Sequence, residues 1–301
     1  MEAASHRAQG NPDLPLGLDH IAHAVRDLDA GAELYRRLGF TVGARNRHPW
    51  GTHNRIVQLP GFFVELLTMA EPERLGGDAM SLLFGNFHRI FLQTHEGLSF
   101  LVLESADANA DVARLEASGI AQSGAVHFRR EGRRPDGTPV TVAFSLAFAK
   151  AADADAEFAV CQQHFPENFW NPQFQTHANG VTGIGGVVLV SDDPNARAAF
   201  LRAFVGKRDL DMRQDSVSAQ TARGRIDIVT PERFAREFGV DPSGPPGMLR
   251  LAALRFVTRD LAAAAGSLTA GGIAARSLNG RLVVPPQIAH GAVIAFEAQP
   301  A

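Results

Sequence analysis

The sequence predicts an α+β fold built from four βαβββ units in two pairs. Three observations carry that reading: strand-like alternation followed each time by a helical stretch, a glycine that ends the helix, and recurrence of this order along the chain. At 301 residues the chain is long enough for two domains. An apolar share of 45% builds a real core and excludes disorder as the overall state.

Residues 1–16 hold small and polar residues with two prolines, Pro12 and Pro15, and lack the basic start and apolar core of a secretory signal. They are read as a disordered lead-in. Leu18-Asp-His-Ile-Ala-His-Ala-Val25 is the first strand. Arg26-Asp-Leu28 leads into a helix over 29–38, and Gly39 caps it. Strands follow at Thr41–Arg45, His53–Leu59 and Phe62–Met69, separated by Pro49-Trp-Gly51 and Pro60-Gly61 turns. The second unit repeats the order: a strand over 97–105, a helix over 109–117, Gly119 as cap, and strands over 122–130, 140–149 and 158–164. The shift that carries Gly39 to Gly119 also carries His20 to Phe100.

Residues 165–180, with Pro166 and Pro172, read as a connector. A third unit opens at Val181–Val190, and its last strand, 226–230, mirrors 64–68. A fourth starts near Leu251, where Arg259-Asp-Leu261 repeats Arg26-Asp-Leu28 and Gly272 repeats Gly39. The expected domains are therefore 17–164, made of units 17–69 and 97–164, and a degenerate partner over 181–301.

Composition narrows the function. A net charge of −3, from 29 basic and 32 acidic residues, argues against a nucleic-acid partner. The single cysteine, Cys161, excludes an intramolecular disulfide framework and a multi-cysteine metal site. No apolar run approaches the roughly 18 residues of a membrane span. A cytoplasmic protein with a small-molecule substrate is expected, and a homodimer is compatible with the sequence.

The stretches Leu18–Leu28 and Phe62-Phe-Val-Glu-Leu-Leu67 resemble the vicinal oxygen chelate superfamily, which includes glyoxalase I, extradiol dioxygenases and bleomycin-resistance proteins. Later parts, Phe158–Trp170 with His177-Ala-Asn-Gly180 and 283–296, resemble its glyoxalase-like branch. The resemblance implies that each pair of units forms a cupped, incomplete barrel of mixed sheet. It also implies a divalent metal, held by first and last strands.

It places the first-strand ligand at His20, which shares a face with Ala22 and Ala24, and the fourth-strand carboxylate at Glu65. A carboxylate between Val64 and Leu66 is costly if buried unpaired, so a cation accounts for it; a solvent-facing edge strand is the plainer alternative. The last ligand falls on Gln162 or His164, which share a face opposite Cys161 and Gln163. His164 is preferred because neutral imidazole binds Zn, Ni, Co, Mn or Fe more strongly. His20, Glu65 and His164 would leave positions open for substrate oxygens. Phe100 departs from the pattern of one ligand per strand. In the second half Gly183 and Ala253 match His20, and Asp227 alone answers Glu65, so the metal is expected in the first half.

Around this set, Trp50 would supply an apolar wall, and one of His53 or Asn54 would point inward. Glu65 or His53 would move protons. Phe100, Gln162, Trp170 and His177 are further substrate contacts, the last two on a connector that folds over the mouth. Arg129-Arg-Glu-Gly-Arg-Arg134 reads as a solvated hairpin tip, with capture of an anionic substrate as the alternative.

A lyase or isomerase on a small substrate with neighbouring oxygens ranks first. A ring-cleaving dioxygenase with Fe(II) ranks below it, because Phe100 replaces one of the usual histidines. A metal-free small-molecule binding or resistance protein, its pocket lined by Phe62, Phe63, Phe100 and Trp170, is the other alternative.

Overall fold

A computed structural model describes residues 16–133, 137–207 and 209–299. The lead-in expected over residues 1–16 lies outside them apart from Leu16, as does the Arg134 end of the charged hairpin.

The first half contains β1 (Leu18–Ala24), α1 (Leu28–Arg37), β2 (Asn46–Arg47), β3 (Thr52–Leu59), β4 (Phe62–Met69), α2 (Asn86–Thr94), β5 (Gly97–Glu104), α3 (Ala108–Ala117), β6 (Val126–Arg133), β7 (Pro139–Ala149) and β8 (Glu157–Gln163). Its eight strands form one sheet in the order β2-β3-β4-β1-β5-β8-β7-β6. β1 and β5 run antiparallel at the centre, each with a parallel neighbour, β4 or β8.

After the connector, with α4 (Pro166–Phe169), the pattern repeats. The second half has β9 (Val181–Val190), α5 (Ala198–Val205), β10 (Asp211–Arg213), β11 (Ser216–Gln220), β12 (Arg225–Val229), α6 (Pro231–Phe238), β13 (Arg250–Thr258), α7 (Leu261–Ala270), β14 (Arg276–Leu278), β15 (Arg281–Val284) and β16 (Val293–Ala298). Its sheet order is β10-β11-β12-β9-β13-β16-β15-β14. Two eight-stranded mixed sheets, with α1, α3, α5 and α7 on the faces that share one core, are the α+β architecture of paired, cupped βαβββ units.

The repeated local chemistry is visible at the helix starts. Asp27 accepts from the amides of Asp29 and Ala30, Asp107 from those of Asn109 and Ala110, and Asp260 from that of Ala262. Such a cap contributes about 1 kcal/mol. Gly39 and Gly119, at φ +88° and +71°, turn the chain just past α1 and α3, in a conformation that side chains disfavour.

The helix-bearing faces of the two sheets pack back to back in one continuous core. Phe40 meets Phe256 and Phe296, and Phe158 meets Phe200 and Phe204. The concave faces carry separate clusters, one around Phe100 and Phe148 and one around Phe234 and Phe238.

The structure departs from the expected elements in three places. The short strand after α1 is Asn46–Arg47 rather than Thr41–Arg45, because residues 41–45 leave the ladder. A π-helical turn, Met80–Gly85, continues into α2 over a stretch the sequence reading left unassigned. Its Met80, Phe84, Phe87 and Phe91 recur at helical spacing, the signal that would have found it. Third, pairing of Glu65 with Ala22 and of Asp227 with Val188 makes Gly186, not Gly183, the counterpart of His20. No helix among the described residues is long and apolar enough to cross a membrane.

Candidate active site in the first cup

The concave face of the first sheet encloses a cavity of about 120 Å³. That is slightly smaller than an engineered cavity of about 150 Å³ that takes up benzene. Its walls come from both edges of the sheet, since Trp50 beside β3 meets Phe128 of β6 at a ring distance of 5.3 Å. Met80 and Phe84 of the π turn roof it, and Phe63, Phe100, Phe144 and Phe169 make it largely aromatic.

His20 and Glu65 both line this cavity. His20 lies flat on Phe63, with ring centroids 4.4 Å apart, and edge-on to Phe100. Its Nδ1 is 2.5 Å from Asp19 Oδ2, and Gln163 Nε2 donates to Asp19 Oδ1 at 2.9 Å. Asp19 thus fixes the ring with Nδ1 engaged and leaves Nε2 for a ligand. Asp19 and His20 are consecutive yet line the same cavity, because the β1–β5 ladder shifts register between Leu18 and His20. Strict alternation could not reveal Asp19.

Glu65 is buried, and burial raises its carboxyl pKa, against the opposing pull of His20 and a hydrogen bond from Asn54. Asn54 Nδ2 donates to Glu65 Oε1 at 2.6 Å and also lies 3.3 Å from His48 Nε2. His48 Nδ1 is 2.8 Å from Thr52 Oγ1. Burial, followed by the positive charge of Arg130, lowers the His48 pKa to about 3, so His48 is neutral. A chain of polar groups therefore supports Glu65 from behind, while Arg130 stands exposed on the cavity wall.

The remaining expected residues are placed as follows. Asn54, Trp50 and Phe100 line the cavity. His53 is the neighbour that points away; it is buried, with Nε2 3.7 Å from Glu71. The faces of β8 are the reverse of the expectation: Cys161 and Gln163 line the cavity, whereas Gln162 turns outward to the Ala108 amide and the Ala106 carbonyl. His164 lies past the strand end, exposed, with Nε2 2.7 Å from Ser145 Oγ, and is not brought together with His20 and Glu65. β8 ends in polar residues on both faces, so its sequence carries no contrast from which to read them. Trp170 packs on Phe63 and Phe169 behind the wall. His177 anchors the connector instead, taking the Thr41 amide on Nδ1 and reaching the Gln58 carbonyl through Nε2.

The donor set bears on a resident metal. His20 and Glu65 face the cavity, but the matching strands of the second unit present Phe100, Ala159 and Cys161. Burial pushes the Cys161 thiol up, so it is not a thiolate, and Gln163 spends its amide nitrogen on Asp19. Among the described residues no three His, Cys, Asp or Glu side chains come together as metal ligands. His20 and Glu65 are thus two protein donors in the cavity, fewer than the three that a catalytic zinc site usually takes from its protein.

A family model described as a glyoxalase-like domain matches residues 18–205, from β1 to the end of α5. The chain belongs to the glyoxalase-like domain family. Its fold is that of the vicinal oxygen chelate superfamily. A comparison with curated proteins finds no match. Among solved structures, a hypothetical protein from Staphylococcus aureus is 14% identical, with a TM-score of 0.64 over 94% of this chain and 100% of that one. A mutant 4-hydroxymandelate synthase from Streptomyces coelicolor is 10% identical, with a TM-score of 0.59 over 96% and 95%. A fusion of a xylose isomerase-like TIM barrel with 4-hydroxyphenylpyruvate dioxygenase is 14% identical, with a TM-score of 0.59; this glyoxalase-like chain is covered in full and spans 51% of the fusion. At such identities the likeness is one of fold.

Proposed function

We propose that this glyoxalase-like protein is a lyase or isomerase that moves a proton on a small substrate with neighbouring oxygens. His20 Nε2 takes the proton, and Glu65, protonated, donates a hydrogen bond to the oxygen that gains charge. What supports the reading is one observation: two titratable groups face one small aromatic cavity, one held by Asp19 and the other by Asn54. Asp19 fixes the imidazole as an acceptor toward the cavity, and burial raises the carboxyl pKa, which favours the acid form that the proposal uses. A buried neutral carboxylic acid is suited to stabilise an oxyanion, because the site around it excludes water. Asn54 holds Oε1 and thereby aims the other oxygen.

A second reading gives His20 and Glu65 to a divalent metal (Zn, Ni, Co, Mn or Fe) whose shell is completed by substrate and water. The face they share supports it. The same experiment addresses both. Small 2-hydroxy and 2-oxo acids are incubated in D2O, and exchange of their carbon-bound hydrogen is followed by proton NMR, with elemental analysis of the protein alongside. Wild type is expected to exchange at least one of them. His20→Asn and Glu65→Gln are each expected to slow exchange by about 10²–10⁴-fold. Exchange unchanged in both variants rejects the assignment. Stoichiometric metal in wild type that both variants lose favours the second reading.

A further inference from the structure

Arg130 is a charged residue of the cavity lining that the acid–base reading leaves unused. It projects from β6 into the cavity lining, beside His48, whose pKa its charge depresses. Its chain neighbour Arg129 pairs with Glu131 at 3.1 Å, and thirteen guanidiniums in all, counting Arg129, pair with carboxylates; among the described residues no carboxylate pairs with Arg130. The two acids of the same cavity are occupied elsewhere: Asp19 by His20 and Gln163, Glu65 by Asn54. The same cavity is lined by Trp50, Phe63, Phe100 and Phe128, and Trp50 meets Phe128 edge to face.

We infer that Arg130 reads a carboxylate on the substrate, and that the substrate is a planar, apolar acid whose charged end stays at the mouth while its reactive end reaches His20 and Glu65. The inference rests on the proposed site. The chemistry is that of a guanidinium fork, which binds a carboxylate through two parallel hydrogen bonds. The surrounding rings make the contact worth more than it would be in open water, and the carboxylate would replace the partner that the protein itself withholds. Arg130 lines the cavity yet is exposed, so a carboxylate bound to it would lie on the solvent side of the cavity.

The test measures binding alone, so it is separable from turnover. Trp50 lines the cavity and Trp170 packs on Phe63, so both tryptophans of the chain report occupancy by their fluorescence. Benzoate and its neutral isostere benzamide are titrated into the full-length protein. Wild type is expected to prefer benzoate by roughly tenfold or more. Arg130→Met is expected to bring the two within about twofold, and Arg130→Lys to keep part of the preference. Melting curves confirm folding, which an exposed strand residue should not disturb. Glu65→Gln is expected to keep the preference even if proton exchange is lost. Equal binding of the two probes by wild type overturns the inference, as does a preference that survives in Arg130→Met. Absence of binding by either probe up to about 10 mM, an affinity of only a few kcal/mol, also overturns it. If His20→Asn and Glu65→Gln leave exchange untouched while the Arg130 pattern holds, the proton-transfer reading falls and the anion site stands.

Discussion

In the first sheet His20 pairs with Val102 across the central ladder; at the matching place in the second sheet stand Gly186 and Arg255. The neighbouring strands carry Glu65 in one and Asp227 in the other, each opposite the same point of its central strand. Arg255 turns into the second cup and holds Asp227 Oδ2 at 2.8 Å, with Glu297 at 3.7 Å. Arg225 and Arg281 close the network on the same two carboxylates. A Cβ on residue 186 would run into the Arg255 guanidinium, so the loss of a side chain there and the gain of one on β13 are a single packing solution. One backbone plan thus yields two interiors. In one, a carboxylate is neutralised by the chain's own cation; in the other it faces a cavity. Under the proposed function the chemistry belongs to the first half, whose carboxylate has no such cation.

The largest break in this comparison is expected at Arg255. Its side chain is only 12% exposed and its partner Asp227 17%, so Arg255→Met leaves two mostly buried carboxylates with one cation each in place of a shared third. Chemical denaturation should show a loss of about 2–3 kcal/mol, less than for a fully buried pair because Arg225 and Arg281 remain. Benzoate binding in the first cup should be unchanged. A stability equal to wild type would mean that the second network is surface decoration.

A second contrast is in histidine. His23, His48 and His88 are buried in the first half, and burial lowers their pKa values from 6.5 to about 4, 3 and 4. In the second half the described residues hold one histidine, His290. A histidine kept neutral in the folded state stabilises it above the unfolded pKa. That stability is lost as pH falls from 6.5 toward the folded value, because the unfolded chain then binds the extra proton. Glu65 and Glu157, both raised by burial and Glu157 to about 7, act with the opposite sign: their contribution is present at low pH and is lost as pH rises above 4.5. The net acid loss is therefore smaller than the histidines alone would give. Each histidine is expected to account for up to about 2 kcal/mol between about pH 7 and about pH 5. Replacing His88 with Gln, which can still meet the Phe84 carbonyl and Ser99 hydroxyl, should flatten the pH dependence of thermal unfolding by about that much. Hydrogen exchange at about pH 5 should rise more around α2 and β5 than around β9 and β13. Equal rises would deny the asymmetry.

These contrasts also mark what was legible in the sequence. The units were readable because each restates the same instructions: an Asp before the helix, as at Asp27, Asp107 and Asp260, and a Gly after it, as at Gly39, Gly119 and Gly272. His20 and Glu65 were legible through the resemblance to the superfamily, and Glu65 also because β4 is otherwise largely apolar, so a carboxylate stands out there. Asp19 was hidden by a register shift that alternation cannot express. Gln163 and His164 were assigned the wrong way round because β8 ends in polar residues on both faces. Arg130 was grouped with its charged neighbours, since only the closing of Trp50 on Phe128 brings that strand across the cup. Long-range closure decides such positions, and no local pattern records it.

The smallest expected effect tests that last point directly. His164 and His20 look alike as imidazoles in one half of the chain, yet His20 is enclosed and paired with Asp19, whereas His164 is exposed past the end of β8 and shares the Ser145 hydroxyl with His127. His164→Ala removes one surface hydrogen bond, so stability should stay within about 0.5 kcal/mol of wild type. Proton exchange and benzoate binding should change by less than about twofold, against the large loss expected for His20→Asn. If His164→Ala instead matched His20→Asn in activity, or stripped metal from a protein that carries it, the strand end would have to fold inward when ligand binds. The two histidines would then belong to one site, as expected from imidazole being a stronger ligand than the Gln162 amide.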